Sequence, residues 1–150
     1  MSPELRSCGL RPLRPAEHAP LRAALAEEGL PVEDLETAFS RFFALEEDGR
    51  LLGYAGLELH EHAALLRSVV VAREARRRGV GRRLVEAMLA QAALLGVQEI
   101  YLLTNSAADF FKRLGFSRIE RGSAPPGIAD SAEFTRLCPA SAQAMMRHLP

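Results

Sequence analysis

The densest chemistry in the chain lies between Val69 and Leu84, in the run Val-Val-Val-Ala-Arg-Glu-Ala-Arg-Arg-Arg-Gly-Val-Gly-Arg-Arg-Leu. A β-branched strand end leads into an arginine-rich turn, and two glycines then open an amphipathic helix. The first turn of a helix has N–H groups without helical acceptors and the positive end of the helix dipole. Glycine lets a ligand approach that backbone closely, so a phosphate or pyrophosphate suits the place. Six arginines from position 73 to 83 would add charge-assisted contacts. The stretch reads as an anion cradle. A Walker loop continues from its last glycine into Lys-Ser/Thr, where this chain has Arg82-Arg83, and the dinucleotide fingerprint needs a third glycine, where this chain has Leu84. What remains is Arg-x-x-Gly-x-Gly, Arg76 to Gly81. That hexad is weak by itself, because an exposed arginine-rich loop before a surface helix reads the same way.

A second constellation comes from hairpin pairing. Arg50 to His60 and Ala63 to Val71 read as strands joined around Glu61-His62, and an even-numbered turn centred there pairs residue i with residue 123 − i. Glu58 then faces Leu65, and Gly56 faces Arg67. Glu58 and Arg67 lie diagonally on one sheet face, ~7–8 Å apart at the backbone and within reach of long side chains. Two readings fit equally: Glu58 draws a proton from an amine while Arg67 holds an oxyanion, or the two form a structural ion pair. His60 and His62 flank the hairpin tip and are expected in solvent. As a metal pair they lack a clear third ligand, and no metal is expected. Cys138 is expected to be structural.

These groups need elements to hold them. Gly9 to Arg14 reads as a strand stopped by Pro15, and Ala16 to Glu28 as a helix stopped by Gly29. Pro31 opens a second short helix reaching Ser40. Phe42 to Glu46 is strand-like, and Asp48-Gly49 is the strongest hairpin signal in the chain. Ser68 to Val71 lacks alternation, which suits a central strand buried on both faces. Val80 to Leu95 is the best helix, with Val80, Leu84, Val85, Met88, Ala92 and Leu95 on one stripe and Gly96 closing it. Glu99 to Thr104 is a strand, Ala107 to Leu114 a helix, Phe116 to Ile119 a strand and Gly122 to Gly127 a loop. Ile128 to Phe134 forms a helical turn and Ala142 to Leu149 the last strand. Meander strands followed by a βαβ unit predict an α+β fold, an α/β/α sandwich on a mixed, mostly antiparallel sheet of about seven strands with about four helices.

Composition narrows the function classes. The chain has 150 residues, 48% apolar and 25% charged, the composition of a folded domain. Residues 1–8 are read as a tail and 9–150 as one domain. Nineteen basic residues balance nineteen acidic ones, which argues against nucleic acid as a partner. No apolar run approaches the ~20 residues of a membrane span, and the N-terminus lacks the apolar core of a signal peptide. Two distant thiols, Cys8 and Cys138, make neither a disulfide scaffold nor a zinc site. A cytoplasmic protein without membrane attachment is expected.

The strand–loop–helix unit resembles motif A of the GNAT N-acetyltransferases, which bind acetyl-coenzyme A. Thr104-Asn105-Ser106-Ala107-Ala108-Asp109-Phe110-Phe111-Lys112-Arg113-Leu114-Gly115-Phe116 resembles that family's second cofactor block. Four further stretches, Gly56-Leu57-Glu58, Leu65 to Val69, Tyr101 to Thr104 and Leu137 to Ser141, resemble the branch associated with arsenic-resistance operons. The resemblance implies a GNAT fold whose strand before the cradle is splayed by a bulge. It implies acetyl-CoA as cosubstrate, its pantetheine amides paired with backbone along Val69, Val70 and Val71. Its pyrophosphate would lie on the turn Arg76, Arg77, Arg78, Gly79, Val80, Gly81 and Arg82. Asn105 would reach the pantetheine arm and Phe111 would pack beside the thioester. Many relatives have Tyr at the position of Phe111 as acid for the departing thiolate, and Phe has no proton to give. Glu58 is then the candidate base, with Arg67 and Ser68 on a small, anionic, amino-acid-like amine. Homodimers are usual in the family. The missing tyrosine keeps an acyl-CoA-binding sensor open as an alternative, and small size with an open cleft keeps a peptide or protein acetyltransferase open.

Overall fold

Turn chemistry sets the register of the first strands. The computed structural model describes residues 8–33, 35, 39–138 and 141–150. The strands are β1 (Cys8–Pro12), β2 (Ser40–Glu47), β3 (Arg50–His60), β4 (Ala63–Val71), β5 (Glu99–Thr104), β6 (Ser117–Ile119) and β7 (Gln143–His148). The helices are α1 (His18–Glu27), α2 (Val80–Leu94), α3 (Ala108–Arg113) and α4 (Pro126–Ala129). Asp48 and Gly49 both take positive φ, +51° and +79°, the backbone of the two-residue turn that matches strand twist. β3 and β4 pair as Glu58↔Leu65 and Gly56↔Arg67, the 123 − i register. Among the described residues one sheet forms in the order β1-β2-β3-β4-β5-β7-β6, with β4 at its centre. Of the pairings among the described residues only β4–β5 is parallel.

Alternation sorts the side chains into two faces. One face carries Phe43, Leu45, Ala55, Leu57, Ala64, Leu66, Ile100, Leu102 and Met145, covered by the Val80, Leu84, Val85, Met88, Leu89 and Ala92 stripe of α2 and by Phe111 of α3. The opposite face carries two separate apolar clusters. One gathers Phe42, Ala44, Tyr54 and Val70 beneath Leu21 and Leu25 of α1. The other gathers Ala63, Leu65, Tyr101 and Ala144 beneath Ile128 of α4 and Phe134. Glu58 and Arg67 emerge on this second face, by strand alternation, where the apolar clusters leave room for charge.

Several boundaries differ from expectation. Cys8, expected in the tail, opens β1, and the strand ends at Pro12. The helix expected over 31–40 falls partly on 34 and 36–38, outside the described residues. The described positions Pro31, Val32, Glu33 and Leu35 carry no helix, and Ser40 opens β2. Leu95 caps α2 instead of joining its buried stripe and is 46% exposed, because Gly96, at φ +86°, turns the chain away there. Leu89 takes its place in the stripe. Pro126, within the expected loop, starts α4 at a position where its missing N–H costs nothing.

Gly56 lets the second face close. A Cβ there would stand 2.6 Å from Phe42 Cε1 and 3.5 Å from Arg67 Cγ, and Phe42 is itself buried beneath the Arg67 guanidinium, 6.0 Å from ring centroid to Cζ. Gly56→Ala is expected to cost about 1–3 kcal/mol through overpacking, read as a lower urea midpoint at unchanged slope. A midpoint equal to wild type would show that Phe42 moves aside freely.

Candidate active site

The site begins where two parallel strands part. β4 and β5 pair at Ala63↔Glu99, Ala64↔Ile100 and Leu65↔Tyr101, and no further. β4 holds an extra residue against β3 between Gly56↔Arg67 and Tyr54↔Val70. Ser68 absorbs it in the left-handed region at φ +58°, unusual for a residue with a side chain and characteristic of bulges. Beyond Ser68 the alternation of β4 shifts by one residue. Val70 joins the α1-side cluster, and Val69 and Val71 pack toward the α2 side. The splay leaves a cleft of about 610 Å³ between the β4 end and the Leu102–Ala107 strand end and turn.

The sequence-selected residues divide along this cleft. Ser68, Val69, Val70, Val71, Arg76, Gly81, Asn105 and Phe111 line it, and so does Arg67. Asn105 is exposed, whereas Phe111 is buried in edge-to-face contact with Phe110 and Phe116. Arg77, Arg78, Gly79, Val80 and Arg82 form the turn and helix start at one end. Arg77 and Gly79 take φ +66° and +74°, and the helical ladder begins with the Arg83 N–H on the Gly79 carbonyl at 3.2 Å. The amides of Val80, Gly81 and Arg82 precede that ladder, as an anion site requires. Gly81 is roomy: a Cβ would meet Phe110 at 3.6 Å and Val71 Cγ2 at 3.8 Å.

The arginine side chains are arranged differently from the expectation of six free contacts. Arg73 bonds Glu27, Arg82 bonds Glu86 and Arg83 bonds Glu47, at 3.2, 3.1 and 2.8 Å. Arg78 donates to the Glu74 carbonyl. Arg76 donates to the Val71 carbonyl and to Glu28, both at 3.0 Å. Exposed pairs of this kind exchange partners at little cost. The candidate cradle is therefore the backbone of the α2 start.

At the other end stands a buried charge cluster. Arg67 is 3% exposed and Glu58 7%. Their expected diagonal contact forms, but at 3.7 Å between Nη1 and Oε1. A closer carboxylate belongs to Glu133, whose Oε2 lies 3.1 Å from Arg67 Nε. The same Nε lies 3.2 Å from the Ser68 hydroxyl. His60, expected in solvent, instead reaches back with Nε2 2.6 Å from Glu58 Oε2. Its ring stacks on Phe39 and lies against Gly127, where a Cβ would come within 2.8 Å of Nδ1. His62 remains exposed. Glu133 and Cys138 line the cleft beside Arg67, and Glu58 does not.

Sequence reasoning missed Glu133. It opens a wide helical turn, Glu133–Leu137, in which the Cys138 N–H reaches the Glu133 carbonyl, an i to i+5 bond. Ser131 holds the turn through Phe134 N and the Thr135 hydroxyl. The available signal was one acidic residue in a short segment reading as a helical turn, with nothing local to aim it at Arg67. Cys138 is tied to this cluster: burial first, then the charge of Glu133, pushes its thiol up to about 12.

A mixed sheet parted at its central parallel pair, with a helix N-terminus at one mouth of the split, is the architecture of an acyl-CoA acyltransferase domain. The chain belongs to the GNAT acetyltransferase family, whose domain model matches residues 38–118. It is 34% identical over 98 residues to an uncharacterized N-acetyltransferase of Chlorobaculum tepidum, covering 65% of this chain and 63% of that protein. It is 31% identical over 107 residues to the amino-acid acetyltransferase of Vibrio vulnificus, covering 67% of this chain and 24% of that one. The chain thus spans less than two thirds of the length of either relative. In fold it resembles N-acetylglutamate synthase from Neisseria gonorrhoeae in complex with coenzyme A and N-acetyl-glutamate, with TM-score 0.77, 18% identity and coverage of 95% of this chain and 35% of that one. It likewise resembles spermidine N-acetyltransferase from Vibrio cholerae, with TM-score 0.71, 16% identity and coverage of 94% and 93%.

The thiolate is the form of cysteine that alkylates. With its thiol raised to about 12, Cys138 in a Cys8→Ser background should react with iodoacetamide at pH 8 on the order of a thousandfold more slowly than a free thiol of pKa ~8.5. The rate should climb as pH rises toward 11, followed by intact mass. Reaction at an ordinary thiol rate at pH 8 would contradict the burial and charge described.

Proposed function

We propose that the protein transfers the acetyl group of acetyl-CoA directly to the primary amine of a small, anionic, amino-acid-like acceptor. The observation that carries this reading is the splay between β4 and β5, with the amides of a helix start at one end of the cleft and a buried guanidinium–carboxylate cluster at the other. Backbone along Val69 to Val71 pairs with the pantetheine amides in place of the lost β5 partner. The turn from Arg76 to Arg82 cradles the pyrophosphate, Asn105 meets the pantetheine arm and Phe111 packs against the thioester. A protonated amine cannot attack, so its proton goes to Glu58 across water, because Glu58 does not itself line the cleft. The nitrogen forms its bond to the acetyl carbon, the C–S bond breaks, and the sulfur leaves with the electron pair. The second nitrogen proton and the thiolate charge are then settled with solvent. Phe111 supplies no acid, but a thiol of pKa ~8.5 leaves readily without one.

The amino-acid-like acceptor is supported by relatives described as amino-acid acetyltransferases. It is also supported by Arg67, a planar donor suited to carboxylates. The likeness to the arsenic-operon branch extends the acceptor panel to phosphinate and arsenical amino-acid analogues, with a role in resistance to them. The alternative of a sensor that binds without turnover draws its support from Phe111.

Calorimetry and steady-state kinetics test the reading. Gly81→Val should weaken acetyl-CoA binding tenfold or more, about 1.4 kcal/mol, and unchanged affinity in the folded variant would remove the cradle. Glu58→Gln should lower turnover of an acidic amino acid by ~10²–10⁴, the usual worth of a general base. Binding of acetyl-CoA without acetylation of any amine would favour the sensor.

A further inference from the structure

We propose that Glu133 takes the acceptor's ammonium group, and that the Arg67–Glu133 ion pair opens to admit a zwitterion whose acid group goes to Arg67. The proposal rests on the acetyl-transfer reading above and names how the acceptor is recognised. Two carboxylates meet Arg67, and they differ in access. Glu133 lines the cleft, and Glu58 does not. Glu58 is also held from behind: Oε2 bonds His60 at 2.6 Å, and the imidazole is fixed between Phe39 and Gly127. Its other oxygen faces Arg67. Glu133 arrives on a separate segment, a one-turn i to i+5 helix, a local irregularity frequent at functional sites.

The Arg67–Glu133 contact has little value as a stabilising device. Both groups are almost fully buried, and a buried ion pair roughly breaks even with an apolar replacement. Its geometry matches a ligand that has an ammonium beside an acid group. Opening the pair to a free amine alone strands part of the Arg67 charge. Opening it to a zwitterion gives each partner a new opposite charge, so no buried charge is left uncompensated. Burial first, and after it the charge of Glu133, raises the Cys138 thiol in the cleft, against the opposing influence of Arg121 and Arg67. Arg121 donates to the carbonyls of Phe134 and Ala142 and does not line the cleft.

The experiment compares variants with an acidic amino acid that the wild-type protein acetylates. Glu133→Gln should raise KM at least tenfold, with the loss in kcat smaller than the rise in KM, and acetyl-CoA affinity by calorimetry should stay within twofold of wild type. Glu58→Gln should show the reverse split, with most of its loss in kcat. Among acceptors, removal of the acid group should raise KM as strongly as Glu133→Gln does. An unchanged KM in folded Glu133→Gln, or equal KM for amines with and without the acid group, overturns the proposal. Should the Gln variant fail to fold, Glu133→Asp keeps the charge beside Arg67 but shortens its reach. A raised KM in that variant supports the assignment, and an unchanged KM overturns it. If wild type acetylates no amine, the acetyl-transfer reading falls by itself. Calorimetric binding of glutamate in the presence of coenzyme A then decides Glu133 separately: binding that weakens tenfold in Glu133→Gln supports the role, and equal or absent binding in wild type overturns it.

Discussion

The separation of β4 from β5 after Leu65↔Tyr101 is the constraint on which the rest of the site depends. A central parallel strand ordinarily spends its backbone groups on both neighbours. Here the bulge at Ser68 adds a residue against β3 and turns the β4 end away from β5. Backbone groups at sheet depth then face a cleft instead of a strand, and an extended ligand can take the missing neighbour's place. The same extra residue exchanges the faces of Val69, Val70 and Val71 relative to Arg67. Arg67 thereby stays on the charged side while the valines return to apolar packing.

The second face of the sheet explains why charge is tolerated beside that cleft. Two apolar clusters, one under α1 and one under α4, are separate, and Arg67 meets carboxylates from two different segments, β3 and the turn that precedes β7. Desolvating such groups is costly unless each is paired. The cluster meets that condition through a chain from His60 to Glu58, Arg67 and Glu133. Phe42 beneath the guanidinium adds a cation–π contact. Gly56 makes that contact sterically allowed, because a Cβ there would stand 2.6 Å from the Phe42 ring.

At the opposite mouth the proposed cradle offers backbone more than side-chain charge. Most of its arginines are engaged with acids of α1, β2 and α2 or with carbonyls of their own loop. These contacts hold the turn in the shape that presents the α2 amides, with Gly79 and Arg77 in left-handed conformations. Arginine abundance is here a property of the scaffold around the α2 start, and the proposed anion site is its backbone amides.

Local rules were enough for much of this molecule. The Asp48-Gly49 turn, the 123 − i register that brings Glu58 and Arg67 to one face, the α2 stripe from Val80 to Ala92 and the paired glycines at its start all follow from short-range periodicity and turn chemistry. Such features are legible because neighbours in sequence determine them. The Glu133 position was not legible, since it depends on the path of the segment between β6 and β7 across the sheet. The placement of His60 on Glu58 was not either: a residue at a hairpin tip is solvated unless another segment covers it, and here Phe39 and Gly127 do. The sequence by itself determined the mixed, mostly antiparallel sheet, the two-glycine start of α2 and the placing of Glu58 beside Arg67. Tertiary packing alone decided which carboxylate faces the cleft, because burial and partner choice of a charged side chain are set by segments far away along the chain.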